Sequence, residues 1–125
     1  MRRIGMGLML LCLLGCTPQN RVGTAVDQSE VAARAIELGT AYLRQGDYSR
    51  AKDNLMKALA IDAQSAPAHH TLAIVFQQER EYELAESYFR RAIALAPEMI
   101  AVRNNFGAFL YAQGRPVVAV EQLTI

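Results

Sequence analysis

From about residue 30 to the end of the chain, apolar and small residues keep a helical rhythm. Ala35, Leu38, Gly39 and Tyr42 stand at i, i+3, i+4 and i+7, the spacing of one face of an α-helix. The same phrase is written three times, 34 residues apart: Leu38-Gly39-x-x-Tyr42, Leu72-Ala73-x-x-Phe76 and Phe106-Gly107-x-x-Leu110. Each is followed by a small residue (Ala51, Ala85, Ala119) and, four positions on, by a large apolar one (Leu55, Phe89, Leu123). Self-similarity at this period predicts a stack of identical supersecondary units. The fold class is therefore all-α, a solenoid of antiparallel helix hairpins. Such stacks present a concave surface to other proteins.

Polar and turn-forming residues set the helix ends. Asp27-x-x-Glu30 has the form of a capping box opening the first helix. Gln45-Gly46-Asp47 breaks that helix, and Asp47 can cap the next, which runs from about Tyr48 to Ile61. Ser65 and Pro67 mark a third start, since proline is tolerated in a first turn. That helix reaches about Gln78, and a fourth spans about Tyr82 to Leu95 before Pro97 ends the unit. The third unit opens near Ile100, turns at Gly114-Arg115 and enters its second helix at Pro116. The predicted organisation is a leader over 1–15, a tether over 16–29, and units over 30–65, 66–99 and 100–125, the last incomplete.

Small residues at matching places predict close helix packing within each unit. Gly39, Ala73 and Gly107 face Ala51, Ala85 and Ala119, while Tyr42, Phe76, Leu55 and Phe89 fill the remaining space. Ala58 and Ala92 repeat the small-residue rule. Burial of the aromatics is expected to supply most of the stability. Asp53 with Lys57, and Glu86 with Arg90, stand at i,i+4 and are expected to pair on exposed faces.

The N-terminus reads as targeting rather than fold. Arg2-Arg3 precedes an uncharged, mostly apolar run from Ile4 to Leu14, too short for a membrane span and suited to a signal peptide. The run ends in Leu13-Leu14-Gly15-Cys16, which resembles the bacterial lipobox. That resemblance implies cleavage before Cys16 and its acylation. The bland alternative is an ordinary secretory peptide with a chance cysteine. Acyl burial contributes ~0.8 kcal/mol per methylene, and more than one chain makes anchoring stable. Thr17, where Asp would imply inner-membrane retention, implies an outer-membrane destination. Thr17 to Gln28 is polar and contains Pro18 and Gly23, the composition of a tether.

Charge narrows the function classes. The chain carries 13 basic and 12 acidic residues. Without Arg2 and Arg3, eleven basic residues face twelve acidic, a net of −1. That balance argues against a nucleic-acid partner, which calls for a basic stripe. Cys12 lies in the leader, and with Cys16 acylated no thiol is left for a disulfide or redox pair.

The recurring residues resemble the tetratricopeptide repeat, whose signature sets Trp, Leu-Gly, Tyr, Ala, Phe, Ala and Pro at fixed places in 34 residues. The Trp place holds Ala35, His69 and Arg103, and the terminal Pro place holds Ala63 and Pro97. With its lipobox and tether, the chain is similar to the type IV pilus biogenesis and stability lipoproteins, the PilF/PilW family. Gly39-Thr40-Ala41-Tyr42-Leu43-Arg44-Gln45-Gly46-Asp47-Tyr48, Ala51-Lys52-Asp53-Asn54-Leu55 and Arg103-Asn104-Asn105-Phe106-Gly107-Ala108-Phe109-Leu110 carry that likeness. Phe106 replaces the family's usual Tyr, and Pro116 an aromatic. The resemblance implies pilotin-like work: a protein partner, a secretin subunit, helped to the outer membrane and to multimerise, with membrane attachment through Cys16. Those relatives have about six repeats. The alternatives are a scaffold for envelope proteases or cell-wall hydrolases, or a pilotin of a related secretion system.

No nucleophile–base cluster, phosphate loop or metal spacing is evident. The reading is a non-enzyme with no cofactor, metal or small-molecule substrate. Adjacent His69 and His70 lack partners at ligand spacing. His69 is expected to be semi-buried between helices, and His70 to face the groove. Carrying over the class's groove positions gives Ile36, Thr40, Leu43 and Arg44 from unit one, His70, Ile74, Gln77 and Gln78 from unit two, and Asn104, Ala108 and Tyr111 from unit three. Ile36 and Thr40 stand where carboxylate-clamping relatives use Lys and Asn. The groove's mixed, nearly uncharged chemistry suits an apolar helix or extended peptide; packing against neighbouring helices is the alternative for each residue. Asn104 and Asn105 either hydrogen-bond a partner's backbone or bond the neighbouring unit, since buried amides must be satisfied; for Asn105 the second is expected.

Overall fold

The expected caps form at three of the helix starts. Asp27 accepts from the Ser29 amide (3.0 Å), Asp47 from Arg50 (3.1 Å) and Ser65 from Ala68 (3.3 Å), each satisfying an amide that has no intrahelical partner. The computed structural model describes residues 27–116. Within them lie five helices: α1 (Gln28–Arg44), α2 (Tyr48–Ile61), α3 (Ala66–Gln78), α4 (Tyr82–Leu95) and α5 (Ile100–Ala112). No strand occurs among the described residues. The leader, Cys16, most of the tether, and the helix expected to follow Pro116 with Val117, Ala119, Val120 and Leu123 lie outside them. The first helix starts at Gln28, two residues before the expected start of unit one.

Two local expectations are corrected. Glu30 does not close a capping box; its carboxylate takes the Arg34 guanidinium at 2.7 Å. A charged partner one turn ahead holds it more strongly than a neutral amide behind. Asp53 and Lys57 do not pair, whereas Glu86 and Arg90 do, at 2.7 Å. Both members of the first pair are exposed, where ion pairing hardly offsets side-chain entropy.

Each first helix ends in the same turn. The amide of Gly46 donates to Leu43 O and that of Asp47 to Tyr42 O; Arg80 and Glu81 repeat this onto Gln77 and Phe76, and Gly114 and Arg115 onto Tyr111 and Leu110. This pair of bonds requires a left-handed residue just past the helix. Gly46 (φ 76°), Arg80 (φ 65°) and Gly114 (φ 73°) supply it, 34 residues apart. The middle turn therefore holds a side chain in a conformation that favours glycine.

Helices α1 with α2, and α3 with α4, form the two closest pairs, α2 packs onto α3, and α1 and α3 also touch. The small residues work as expected within unit one. A Cβ on Gly39 would meet Leu55 Cγ at 2.7 Å and Ala51 O at 3.2 Å. Ala51, Leu55 and Ala58, and their counterparts Ala85, Phe89 and Ala92, are fully buried. One cluster joins Ala51, Leu55, Leu72 and Val75 across units one and two. A second joins Ala73, Phe89, Val102, Phe106, Phe109 and Leu110 across units two and three. In it the Phe89 ring lies 5.4 Å from Phe106 and 5.5 Å from Phe109, a spacing that adds ~0.5–1.5 kcal/mol per pair beyond area burial.

Leu38 departs from its register mates. Leu72 and Phe106 are fully buried, but Leu38 is 46% exposed. Leu72 packs with Ala51 and Leu55 of the preceding unit, and Phe106 with Phe89. Among the described residues, no earlier unit lies before α1.

Candidate protein-binding groove

The first helices α1, α3 and α5 carry all the predicted groove residues. Their order along this face follows from the turns, which return the chain to the same side once per unit. In unit one, Ile36 and Leu43 are half-buried and pack on the core, so only part of each side chain is available to a partner. Thr40 turns its hydroxyl onto Ile36 O at 2.8 Å, leaving its oxygen lone pairs to accept. Arg44 closes the helix and is exposed. In unit two, Ile74 packs on the core, Gln77 is half-buried and Gln78 exposed. In unit three, Asn104, Ala108 and Tyr111 are exposed, Tyr111 at 72%. The face combines three half-sunk aliphatic side chains with a rim of amides, one cation and one phenol.

The adjacent histidines have different surroundings. The His69 ring is half-buried against Tyr88, centroids 5.6 Å apart, and its Nε2 donates to Ala63 O at 2.9 Å. Its Nδ1 is buried without a hydrogen-bond partner. Ala35, at the corresponding place in unit one, is buried with Ala58 and Ala68. Next to it in sequence, His70 is half-buried, 6.1 Å from the Phe89 ring. Asn105 Nδ2 donates to His70 Nε2 at 2.9 Å. Asn105 thus bonds the neighbouring unit, joining α3 to α5 on the first-helix side, as expected, but from an exposed and not a buried position. Burial, which disfavours the imidazolium, holds the His70 pKa below the ordinary imidazole value.

Polar links between units were not foreseen. Lys52 Nζ reaches both oxygens of Glu79 at 2.8 Å and lies over the Phe76 ring. One unit later, Glu86 occupies the Lys52 place and binds Arg115 and Arg90, each at 2.7 Å. The same register position therefore reaches the next unit's turn in both cases, with its charge reversed. Burial raises the Glu86 pKa, but the hydrogen bonds and charges of Arg90 and Arg115 outweigh it and hold the carboxyl below the usual range. A cleft of about 320 Å³ lies beside this network, lined by Tyr82, Glu83, Glu86, Phe109, Gln113 and Arg115. The sequence signal for these links was a 34-residue offset between opposite charges, Lys52 and Glu86.

A helix-hairpin stack with small residues at the crossings and left-handed turns every 34 residues defines a helical repeat fold. Two adjoining tetratricopeptide-repeat models match residues 35–65 and 66–99, together just over half of the chain. The chain belongs to the tetratricopeptide-repeat family. It is 41% identical over 119 residues to the type IV pilus assembly protein PilF of Pseudomonas aeruginosa, covering 93% of this chain and 47% of that protein. An uncharacterised protein of Haemophilus influenzae is 32% identical over 110 residues, 88% of this chain and 60% of its own length. The chain thus spans about half to three-fifths of these relatives. The solved P. aeruginosa PilF structure superposes with a TM-score of 0.74 at 43% identity, covering 76% of this chain and 43% of that one. The MamA structure gives 0.68 at 23% identity, covering 80% and 58%, a likeness of fold alone.

Proposed function

We propose that this chain is a lipid-anchored envelope scaffold of type IV pilus assembly, acting as a pilotin for secretin subunits at the outer membrane. The observation that carries the reading is the 41% identity to a pilus assembly protein over nearly the whole chain. Leu13-Leu14-Gly15-Cys16 supports the anchor, and the groove face, poor in charge and rich in amides, supports capture of a peptide segment. Among the described residues no helix is long and apolar enough to cross a membrane; on this reading the acyl chains on Cys16 supply the attachment. Confining the groove to a membrane surface raises its effective concentration for a partner there.

Envelope fractionation of the full chain and its Cys16→Ala variant tests the anchor. The parent is expected to fractionate with the outer membrane, and the variant to fold but be lost from that fraction. A Cys16→Ala protein still found with the outer membrane would overturn the anchoring step.

A further inference from the structure

The bond between Asn105 and His70 constrains more than the spacing of two units. A carboxamide has an acceptor end, Oδ1, and a donor end, an NH2 with two N–H groups. Here one N–H of the donor end, Nδ2, is given to His70 Nε2 at 2.9 Å, so the donor end is turned to the ring. The acceptor end, Oδ1, therefore points away from the ring. Asn105 is exposed, on the same helix as Asn104 and Ala108. For Nε2 to accept, His70 must be neutral with its proton on Nδ1.

We propose that His70 sets which end of the Asn105 amide faces a segment bound in the groove: acceptor while the ring is neutral, donor once it is protonated. This rests on the groove reading above for its functional meaning. With Oδ1 outward, Asn105 accepts a main-chain N–H from an extended peptide. When a solvent proton adds to Nε2, two N–H groups would oppose each other across 2.9 Å. The amide then turns about χ2, Oδ1 accepts from Nε2–H, and Nδ2 faces outward. A partner held through a backbone N–H loses its acceptor. The partner class is thus an extended segment with a free main-chain donor opposite Asn105, bound at neutral pH and released in mild acid.

The surroundings leave this equilibrium to the pair. Helix α4 offers His70 the Phe89 ring, which is not ionisable. Of its four charged groups, Glu86 and Arg90 are engaged with each other and with Arg115 from the turn after α5, Arg90 also lies over Phe106, and Glu83 and Arg91 are exposed. His69, its neighbour on α3, is turned to Ala63 and Tyr88. Glu37 on α1, Glu79 at the end of α3 and Arg103 on α5 do not shift it; burial is the cause of its lowered pKa. The sign follows. Unfolded chains take up a proton near the ordinary imidazole pKa of about 6.5 and the folded ring only lower, so this group's stabilising contribution is full above that value. It is lost as pH falls through the folded pKa.

Nitrogen NMR of the full chain in detergent micelles, titrated from pH 8 to 5, tests the device without any partner. At pH 8 we expect the Nδ1–H tautomer of His70 and a scalar coupling between Asn105 Nδ2 and His70 Nε2 across the hydrogen bond. On acidification the coupling vanishes, and the Asn105 amide protons shift with the midpoint of the His70 ring. Asn105→Asp, which can only accept, should raise that midpoint. An Nε2–H tautomer at pH 8, Asn105 signals that ignore the His70 titration, or an unmoved midpoint in Asn105→Asp would overturn the proposal. Because no partner is present, these outcomes are independent of whether the pilotin reading stands.

Discussion

Gly39 and Leu55 meet with no room for another atom: a Cβ on the glycine would stand 2.7 Å from Leu55 Cγ and 3.2 Å from Ala51 O. Leu55 is fully buried between α1 and the next unit, so its branch point cannot retreat. Alanine in a helix normally gains ~1 kcal/mol over glycine, but overpacking a filled core costs about 1–3 kcal/mol. Gly39→Ala should therefore lose up to about 2 kcal/mol in urea unfolding. A stabilising result would mean that the hairpin of unit one is looser than described.

Arg80 carries the opposite expectation. It sits at φ 65° in the place that Gly46 and Gly114 fill on either side. The left-handed conformation costs a side-chain-bearing residue roughly 1–2 kcal/mol, partly offset by the unfolded-state entropy that glycine adds. Arg80→Gly should raise stability by ~0.5–1 kcal/mol, and Gly114→Ala should lower it by a similar amount. Thermal melts of both variants check the pair of signs.

The Lys52–Glu79 contact links units one and two, with both side chains partly buried (33% and 25% exposed). A double-mutant cycle on Lys52→Ala and Glu79→Ala should give a coupling of ~0.5–1 kcal/mol that shrinks in high salt. A coupling of zero at low salt would show that the contact does not join the units energetically.

Glu86 makes stability depend on acid. Its folded pKa lies below the ordinary value, so its contribution is full above the unfolded glutamate pKa of about 4.3. That contribution is lost as pH falls through the lower folded value. Glu86→Gln should therefore flatten the decline of stability below about pH 4.3, measured by denaturant midpoints at stepped pH. An unchanged slope would remove Glu86 from the link between units two and three.

The 34-residue register made the fold legible because helix packing reuses the same atoms in each unit. Ala51, Leu55, Ala85 and Phe89 could be placed in the core from their register alone, and all four are fully buried. Leu38 could not, although it has the register place of Leu72 and Phe106, because burial there depends on a preceding unit and not on the residue itself. Arg80 was hidden for a related reason: the turn's hydrogen bonds demand a left-handed residue, and nothing in an arginine announces one. Lys52–Glu79 joins residues 27 apart, a distance at which a helix-period reading is silent. The groove residues named from the sequence all lie on α1, α3 and α5. The sequence did not separate half-sunk Ile36, Leu43 and Ile74 from fully presented Tyr111.

The central claim is that the first-helix face holds a secretin subunit. The direct measurement is co-purification of secretin with the full chain, compared with variants altered only on exposed groove residues, Tyr111→Ala with Gln78→Ala. Neither side chain supports the core, so melts should be unchanged while recovered secretin falls at least tenfold, about 1.4 kcal/mol of binding. Equal recovery of secretin with the parent and the groove variant would contradict the account, as would its failure to bind the parent at all.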